Sequence, residues 1–581
     1  MGTITRALDS RVLPGVAIAL ALAPGCGGSS TPPPVYEPAN SANSADEASG
    51  SPWFREVHEE VGIDFVHVSD AGGALRRFPE IMGGGAALAD LEGDGDPDLY
   101  LVQSGELDGP APGSPVNRLF RNGGAGRFTD ITEESGSGDP GYGMGVALGD
   151  VDNDGALDLY VTNVGPNVLL LNRGALTFED RSERAGVDQR AWSTSAAFFD
   201  LDVDGRLDLF CCNYVDWSLG GELACSTAAG RPDYCSPNSY DAPVADSLYR
   251  NEGGGRFTDV SAAAGLFARR GNGLGVVCGD FDGDGAIDIF VANDQMENHL
   301  WHNGGDGTFT DIAGASGCAV DQHGQPKAGM GTLAEDVDGD DDLDVLVVNL
   351  RAQADSFFRN EGAYFNDDTA AVGLGGASRP FTRFGVGWVD FNNDGFFDLY
   401  QANGRVAISS ELHARSDDPY AEPNLLFTGQ SGGRFDVSEH EGGVPSGLEL
   451  VHTSRAAAFG DIDGDGGMDV VVVNRDAFAY VLRNVVPDRG HWARFRVLDG
   501  NGRDALGAEL RIEIEGRSLR RDVKSAYSYC AANDPRVHVG LGDVANIRRV
   551  RVRWPGGREE SFGPFEVDRD HILRAGEGTE R

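Results

Sequence analysis

Short apolar runs recur through most of this 581-residue chain, each bounded by acidic, glycine-rich turns. Asp158-Leu-Tyr-Val-Thr-Asn163 and Asp288-Ile-Phe-Val-Ala-Asn293 are typical: brief, aromatic and β-branched, and ending at Asn. Such runs predict strands. They belong to a longer repeat. N-x-L-[FY]-x-N appears at Asn117 to Asn122 and Asn298 to Asn303, and more loosely at Asp246 to Asn251. A glycine-rich turn follows, then F-T-D at Phe128, Phe257 and Phe309. Counted from that Phe, units begin at Phe54, Phe128, Phe178, Phe257, Phe309, Phe365 and Phe435. Residues Phe54 to Gly62 precede the first acidic turn, whereas the last unit stops at Asn484 without a matching segment. The first strand is therefore expected to complete the last sheet and close a ring. About four strands per unit make this an all-β chain, a seven-bladed β-propeller over residues 53–486. An open solenoid would leave the two terminal pieces unpaired.

The acidic turns share one phrase, D-x-D-x-D-G-x-x-D, whose positions 1, 3, 5 and 9 can converge on one hard cation. The seven sets are Asp90, Glu92, Asp94, Asp98; Asp150, Asp152, Asp154, Asp158; Asp200, Asp202, Asp204, Asp208; and Asp280, Asp282, Asp284, Asp288. They continue with Asp336, Asp338, Asp340, Asp344; Asp390, Asn392, Asp394, Asp398; and Asp461, Asp463, Asp465, Asp469. An EF-hand would need Glu at position 12 and a flanking helix. Position 12 is Leu101, Val161, Cys211, Val291, Val347, Gln401 and Val472, none acidic, with strand-like sequence after it. The expectation is up to seven Ca2+ ions, each in a loop joining two strands and each acting as a structural staple. Loops five and six are the weakest: Asp341 replaces the turn glycine in one, and Asn392 takes position 3 in the other.

These residues resemble FG-GAP (VCBS) repeats of integrin-α-type propellers. Gly490-His-Trp492, Asn501 to Gly507, Asn533-Asp534, His538 to Gly542 and Val552 to Gly556 resemble the ASPIC/UnbV domain of cartilage acidic protein-like proteins. Met82 to Gly85 and Tyr234-Cys-Ser-Pro237 also resemble that family. The resemblance implies calcium-loaded blades, an envelope or extracellular home, a binding role and no established reaction. The family often has Asn-Gly-His after the sixth loop; this chain departs from that pattern, with Arg405 following Asn403-Gly404.

The 92 acidic and 47 basic residues give a formal charge of −45, a poor match for nucleic acid or an anionic membrane surface. Arg6, Arg11 and the apolar run Val12 to Leu22 read as a signal peptide over residues 1–26. Ala23-Pro-Gly-Cys26 reads as an imperfect lipobox with Cys26 lipidated, ordinary signal cleavage being the alternative. Residues 27–52 read as a disordered tether. The expected location is the cell envelope, with the membrane reached through the lipid anchor alone. Cys225 and Cys235, in a long insertion after the third acidic loop, are expected to form a disulfide. The pairing of Cys211, Cys212, Cys278, Cys318 and Cys530 is left open by sequence.

Residues 487–575 form a second, small β-domain, since Arg511 to Glu515 and Arg549 to Arg553 alternate strictly. The arginine row could grip an anionic partner, the propeller included; a solvated strand face is the commoner fate of such a row. No metalloprotease, nucleophile-elbow, P-loop or dinucleotide motif is present, and no catalytic residue is assigned. Two long insertions offer a binding face: one with Trp217, Tyr234 and Tyr240, the other with Arg405, Glu411, His413 and Tyr420. The aromatics of the first are expected to form that loop's own small core. The functional expectation is an extracytoplasmic adhesion or interaction module for a protein or carbohydrate partner. A carbohydrate-active enzyme and a scaffold lipoprotein are the alternatives.

Overall fold

A computed structural model describes residues 52–580, except 74, 363, 409–417 and 439–449. Cys26, the signal peptide, the tether, Glu411 and His413 thus lie outside the described residues. Strands dominate, and counted in chain order they form seven sets of four antiparallel strands, called sheets below. The first comprises Ala86–Ala89, Asp98–Leu101, Arg118–Asn122 and Phe128–Asp130. After it come the second (Gly143–Gly149 to Phe178–Asp180) and the third (Arg190–Phe199 to Phe257–Asp259), joined to the second where Arg190 pairs with Pro166. The fourth (Gly273–Gly279 to Phe309–Asp311), the fifth (Thr332–Glu335 to Phe365–Asp367) and the sixth (Arg383–Val389 to Arg434–Val437) follow. In the last, Ser454–Gly460, Asp469–Asn474 and Tyr480–Asn484 are joined by Phe54–Glu56, Phe54 pairing with Asn484. The innermost strand of each sheet packs on that of the next, in cyclic order, and Ser454–Gly460 returns to Ala86–Ala89. The fold is a closed β-propeller.

Its core lies between neighbouring sheets, which explains why these strands read as nearly continuous apolar runs. Successive side chains point to opposite faces of a strand, and here both faces are covered. Leu159 and Val161 pack with Tyr100 and Leu91 of the first sheet, while Tyr160 between them packs with Phe198 and Leu209 of the third.

The C-terminal region forms a three-stranded sheet (His491–Leu498, Val537–Gly542, Arg569–Arg574) and a five-stranded one. The latter runs from Arg517–Asp522 through Glu509–Ile514, Arg549–Arg553 and Glu559–Phe562 to Thr579–Glu580, so the domain extends beyond residue 575. Between Asp522 and Val537 the chain leaves these sheets and enters the centre of the ring. Ala531–Ala532 pairs in parallel with Ala86–Ala87 of the first sheet. Ser525 Oγ donates to Leu148 O of the second at 3.1 Å, and Ser195 Oγ of the third accepts the Cys530 N–H at 2.9 Å. Tyr529 belongs to the same buried apolar cluster as Leu274 of the fourth, and Ser528 exchanges backbone bonds with Thr332 of the fifth. Ser528 Oγ accepts from Val386 N of the sixth and donates to Ala457 O of the seventh, both at 2.9 Å. Every sheet touches this segment, and Ser528, Tyr529, Cys530, Ala532 and Asn533 are buried in it.

Candidate metal centres

Each acidic loop joins the innermost strand of a sheet to the second, so all seven lie on one face of the ring. Backbone amides organise them in the same way. In all seven, Oδ2 of position 1 accepts the N–H of position 6, drawing the loop around that carboxylate. Oδ1 of position 5 accepts the N–H of position 7. Position 6 is left-handed throughout, including Asp341 with φ 76°, the conformation for which glycine is otherwise chosen. Position 9 is braced twice. One oxygen of Asp158 accepts Val151 N at 2.9 Å, and the other accepts Asn172 N at 2.8 Å.

That Asn belongs to a set whose role the repeat pattern marked without explaining. Asn122, Asn172, Asn251, Asn303, Asn360 and Asn484 each end a third strand. Each sends an amide proton to a main-chain carbonyl in the acidic loop of the preceding sheet, at 2.8–3.0 Å: Ile462, Leu91, Val151, Leu201, Phe281 and Phe391 respectively. The sixth sheet has Gly429 there and lacks the link.

Three donor atoms lie within 4.8 Å of one another in five loops: Asp150, Asp152, Asp158; Asp200, Asp202, Asp208; Asp282, Asp284, His302; Asp336, Asp338, Asp340; and Asp461, Asp463, Asp465. Loop five, with Asp341 in the turn, is among them. Loop one with Glu92 and loop six with Asn392 bring no such trio of His, Cys or acidic residues together among the described residues; Asn392 Nδ2 instead donates to Asp394 at 3.0 Å. The four all-carboxylate sets fit a hard divalent cation. Buried oxygens of Asp152, Asp280, Asp338 and Asp463 have no hydrogen-bond partner. Burial, with neighbouring carboxylates adding, pushes Asp98 and Asp344 up to about 8 and Asp208, Asp288 and Asp390 to about 7.

The C-terminal domain covers this face. Its arginines approach the loop carboxylates: Arg496 to Asp90 (3.8 Å), Arg503 to Asp200 (3.6 Å), Arg553 to Asp280 (3.4 Å), Arg511 to Asp341 (2.5 Å) and Arg494 to Asp461 (3.2 Å). Arg536 donates to Gly95 O at 2.7 Å, and Arg517 donates to Asp394 O and Gly395 O at 3.4 Å. The solvated strand face expected for the arginine row is thereby corrected. Arg553 and Arg511 reach the propeller, while Arg549 and Arg551 pair across their own sheet with Glu513 at 2.7 and 3.1 Å. Basic residues concentrated in the tail find their counter-charges in the loops. A cleft of about 730 Å³ remains beside loop six, lined in part by Asn392, Asp394, Asp488, Arg517 and Asp543.

The opposite face carries the insertions, because they join second strands to third ones. Cys225 and Cys235 form a disulfide there. The aromatics do not make a private loop core, contrary to expectation. Tyr240 stacks on Phe78 (5.2 Å), Trp217 lies edge-on to Trp192 (6.0 Å), and Tyr234 meets Tyr420 of the second insertion (5.3 Å). Tyr234 Oη accepts from Arg475 at 2.9 Å, and Tyr420 Oη donates to Asp233 at 2.9 Å. Arg405 is buried against Glu422 at 2.8 Å. The insertions are thus cemented to the ring and to each other. Exposed apolar side chains remain on this face at Val66, Val68, Leu75, Leu219 and Leu223; the Phe78 N–H, donating to Glu222 at 3.0 Å, joins the two segments that carry them. No helix among the described residues is long and apolar enough to cross a membrane.

Residues 90–161, 150–211, 229–291 and 280–347 match the FG-GAP-like repeat family, and residues 498–580 match the ASPIC and UnbV family. Cartilage acidic protein 1 of Homo sapiens is 28% identical over 323 residues, 54% of this chain and 45% of that one. The Xenopus tropicalis protein of the same name is 28% identical over 52% and 44%. The chain thus spans less than half the length of these relatives. Among solved structures, a Burkholderia pseudomallei lectin gives TM-score 0.42 at 12% identity, covering 70% of this chain and 96% of that one. An Agrocybe aegerita lectin recognising terminal N-acetylglucosamine gives 0.37 at 15%, covering 69% and 94%. A Bacillus licheniformis rhamnogalacturonan lyase gives 0.36 at 14%, covering 69% and 71%.

Proposed function

We propose, from the premise that this chain is an FG-GAP repeat protein with an ASPIC and UnbV domain, that it is a calcium-stapled interaction module of the cell exterior. On this reading it presents its insertion face to a protein or carbohydrate partner. One observation carries the assignment of the face: the chain's own C-terminal domain occupies both the acidic-loop face and the centre of the ring. A partner is left with the face where the two insertions meet and where Leu219 and Leu223 stay exposed. Large exposed apolar side chains on a rigid scaffold suit protein association or the apolar face of a sugar. Calcium in the acidic loops then acts at a distance from the partner, holding the scaffold. Lipidation at Cys26 would tether the module to the envelope.

The reading is tested by binding of the mature chain to a glycan array and to extracts of the producing cell's surface. Leu219→Asp with Leu223→Asp should abolish retention of the partner while the melting temperature holds. Retention that survives these changes and disappears with substitutions in the C-terminal domain would place the partner elsewhere.

A further inference from the structure

Loop four differs from the others in what faces it. His302 is the penultimate residue of the third strand, His299–Asn303. The same position in the other sheets is Arg121, Leu171, Arg250, Arg359, Thr428 and Arg483. Arg359 pairs with Asp338 and Arg483 with Asp463, the latter at 3.1 Å. In the second sheet Arg173, two residues along, pairs with Asp152 at 2.9 Å. The position-3 carboxylate of those loops thus meets a guanidinium, which has no lone pair to offer a metal. In loop four it meets an imidazole.

His302 Nδ1 lies 3.2 Å from Asp282 Oδ2 and 3.3 Å from Asp288 Oδ1. The Nδ1 atom itself is buried and meets no partner in hydrogen-bond geometry, although the His302 side chain is 30% exposed, and Asp280 Oδ1 in the same loop is also without a partner. His302, Asp282 and Asp284 offer one nitrogen and two oxygens within 4.8 Å. Separations of 3.2 and 3.3 Å can be spanned by one metal ion, zinc or calcium alike, so the choice between them falls to the ligand types. Calcium takes oxygen at longer distances, whereas a mixed imidazole and carboxylate set suits zinc and its neighbours in the first transition row. We propose that loop four is a zinc-class site in an otherwise calcium-binding ring, with His302 as its nitrogen ligand. The proposal rests on the reading that these loops hold divalent metal at all.

The test uses the full mature chain, stripped of metal, saturated with calcium, and then titrated with Zn2+ by calorimetry and with Co2+ by visible absorption. His302→Arg restores the residue found in the fifth and seventh sheets, and His302→Asn keeps a smaller polar group. The wild type should take up one Zn2+ per chain in the presence of calcium, with a cobalt spectrum showing nitrogen ligation. Both variants should bind zinc at least about tenfold more weakly while keeping the calcium count of the remaining loops. Equal zinc binding by wild type and variants would overturn the proposal, as would a wild type that holds calcium and refuses zinc; His302 would then be an ion-pair partner only. Failure to bind calcium in any of the three proteins would overturn the staple reading itself.

Discussion

Asn172 carries two inter-strand connections with one side chain: its amide donates to Leu91 O of the first sheet at 2.9 Å and to Leu157 O of its own at 3.2 Å. Asn172→Ala leaves two buried carbonyls without donors, at about 1–3 kcal/mol each. Urea unfolding should show a loss of about 2–6 kcal/mol with an unchanged slope. His67 supplies a second residue-scale prediction. It is fully buried, its Nε2 3.0 Å from Ser104 Oγ, and burial lowers its pKa to about 4 from 6.5, outweighing the nearby Asp476. The folded state thus favours neutral imidazole. The contribution is complete above the unfolded value of 6.5 and is lost as pH falls from there towards 4. One such group costs about 2 kcal/mol by pH 5. His67→Gln should therefore lose less stability than wild type between pH 7 and pH 5, by about that amount; parallel pH profiles would remove His67 from the account. Asp341 was legible at this scale, because a repeat position that is otherwise glycine announces a left-handed turn whatever occupies it. Its contact with Arg511 was not, since that partner lies 170 positions away.

Strands that must cover both faces announce themselves as uninterrupted apolar runs, and the closing strand from Phe54 was readable because two incomplete units complement one another. The segment from Lys524 to Asn533 was unreadable for the opposite reason. Ser525-Ala-Tyr-Ser-Tyr-Cys-Ala-Ala-Asn533 has small and polar residues in no clear period, as suits a piece of chain that meets seven different strands instead of one flat neighbour. Its conformation also departs from a strand, with Ser528 at φ 87° and Cys530 at φ 52°. Such backbone costs free energy unless the surroundings hold it, and here the Thr332, Val386 and Ala457 hydrogen bonds hold it. Glycine makes room: a Cβ at Gly145 would sit 3.0 Å from Cys530 Cα and 2.7 Å from Thr194 O. Tyr529 anchors the tip, edge-on to Phe384 at 4.8 Å, with its hydroxyl donating to Met82 O at 2.8 Å. Tyr529→Ala should cost about 3–5 kcal/mol, as for other buried aromatics. Hydrogen exchange should find the added protection loss in residues 524–536 and the inner strands. A loss confined to the outer strands would contradict the central position of this segment.

At the scale of the molecule, ring, loops and C-terminal domain form one stability unit. Seven loops each about tenfold saturated with calcium would add about 10 kcal/mol, at about 1.4 kcal/mol each, comparable with the whole stability of an ordinary domain. Chelation should therefore lower the melting temperature steeply and reversibly, and the metal count on restoration should approach seven, with zinc taking one place if loop four behaves as proposed. Little change on chelation, or only one or two ions bound, would remove the staple account. Since arginines from the C-terminal domain rest on the same loops, emptying them should also alter docking of that domain. Its removal is the sharper experiment. Without residues 487–581 the ring would lose the segment that pairs with Ala86–Ala87 and satisfies Thr332 and Val386. Glycines shaped to that segment would then face open space, and loops crowded with carboxylates would lose their guanidinium counter-charges. A chain ending at Val486 should be expressed poorly or melt far below the full chain even with calcium present. Residues 487–581 supplied as a separate chain should restore part of the difference in proportion to their concentration, as binding linkage requires. An isolated ring as stable as the whole protein would mean that the C-terminal domain is a passenger on a self-sufficient propeller.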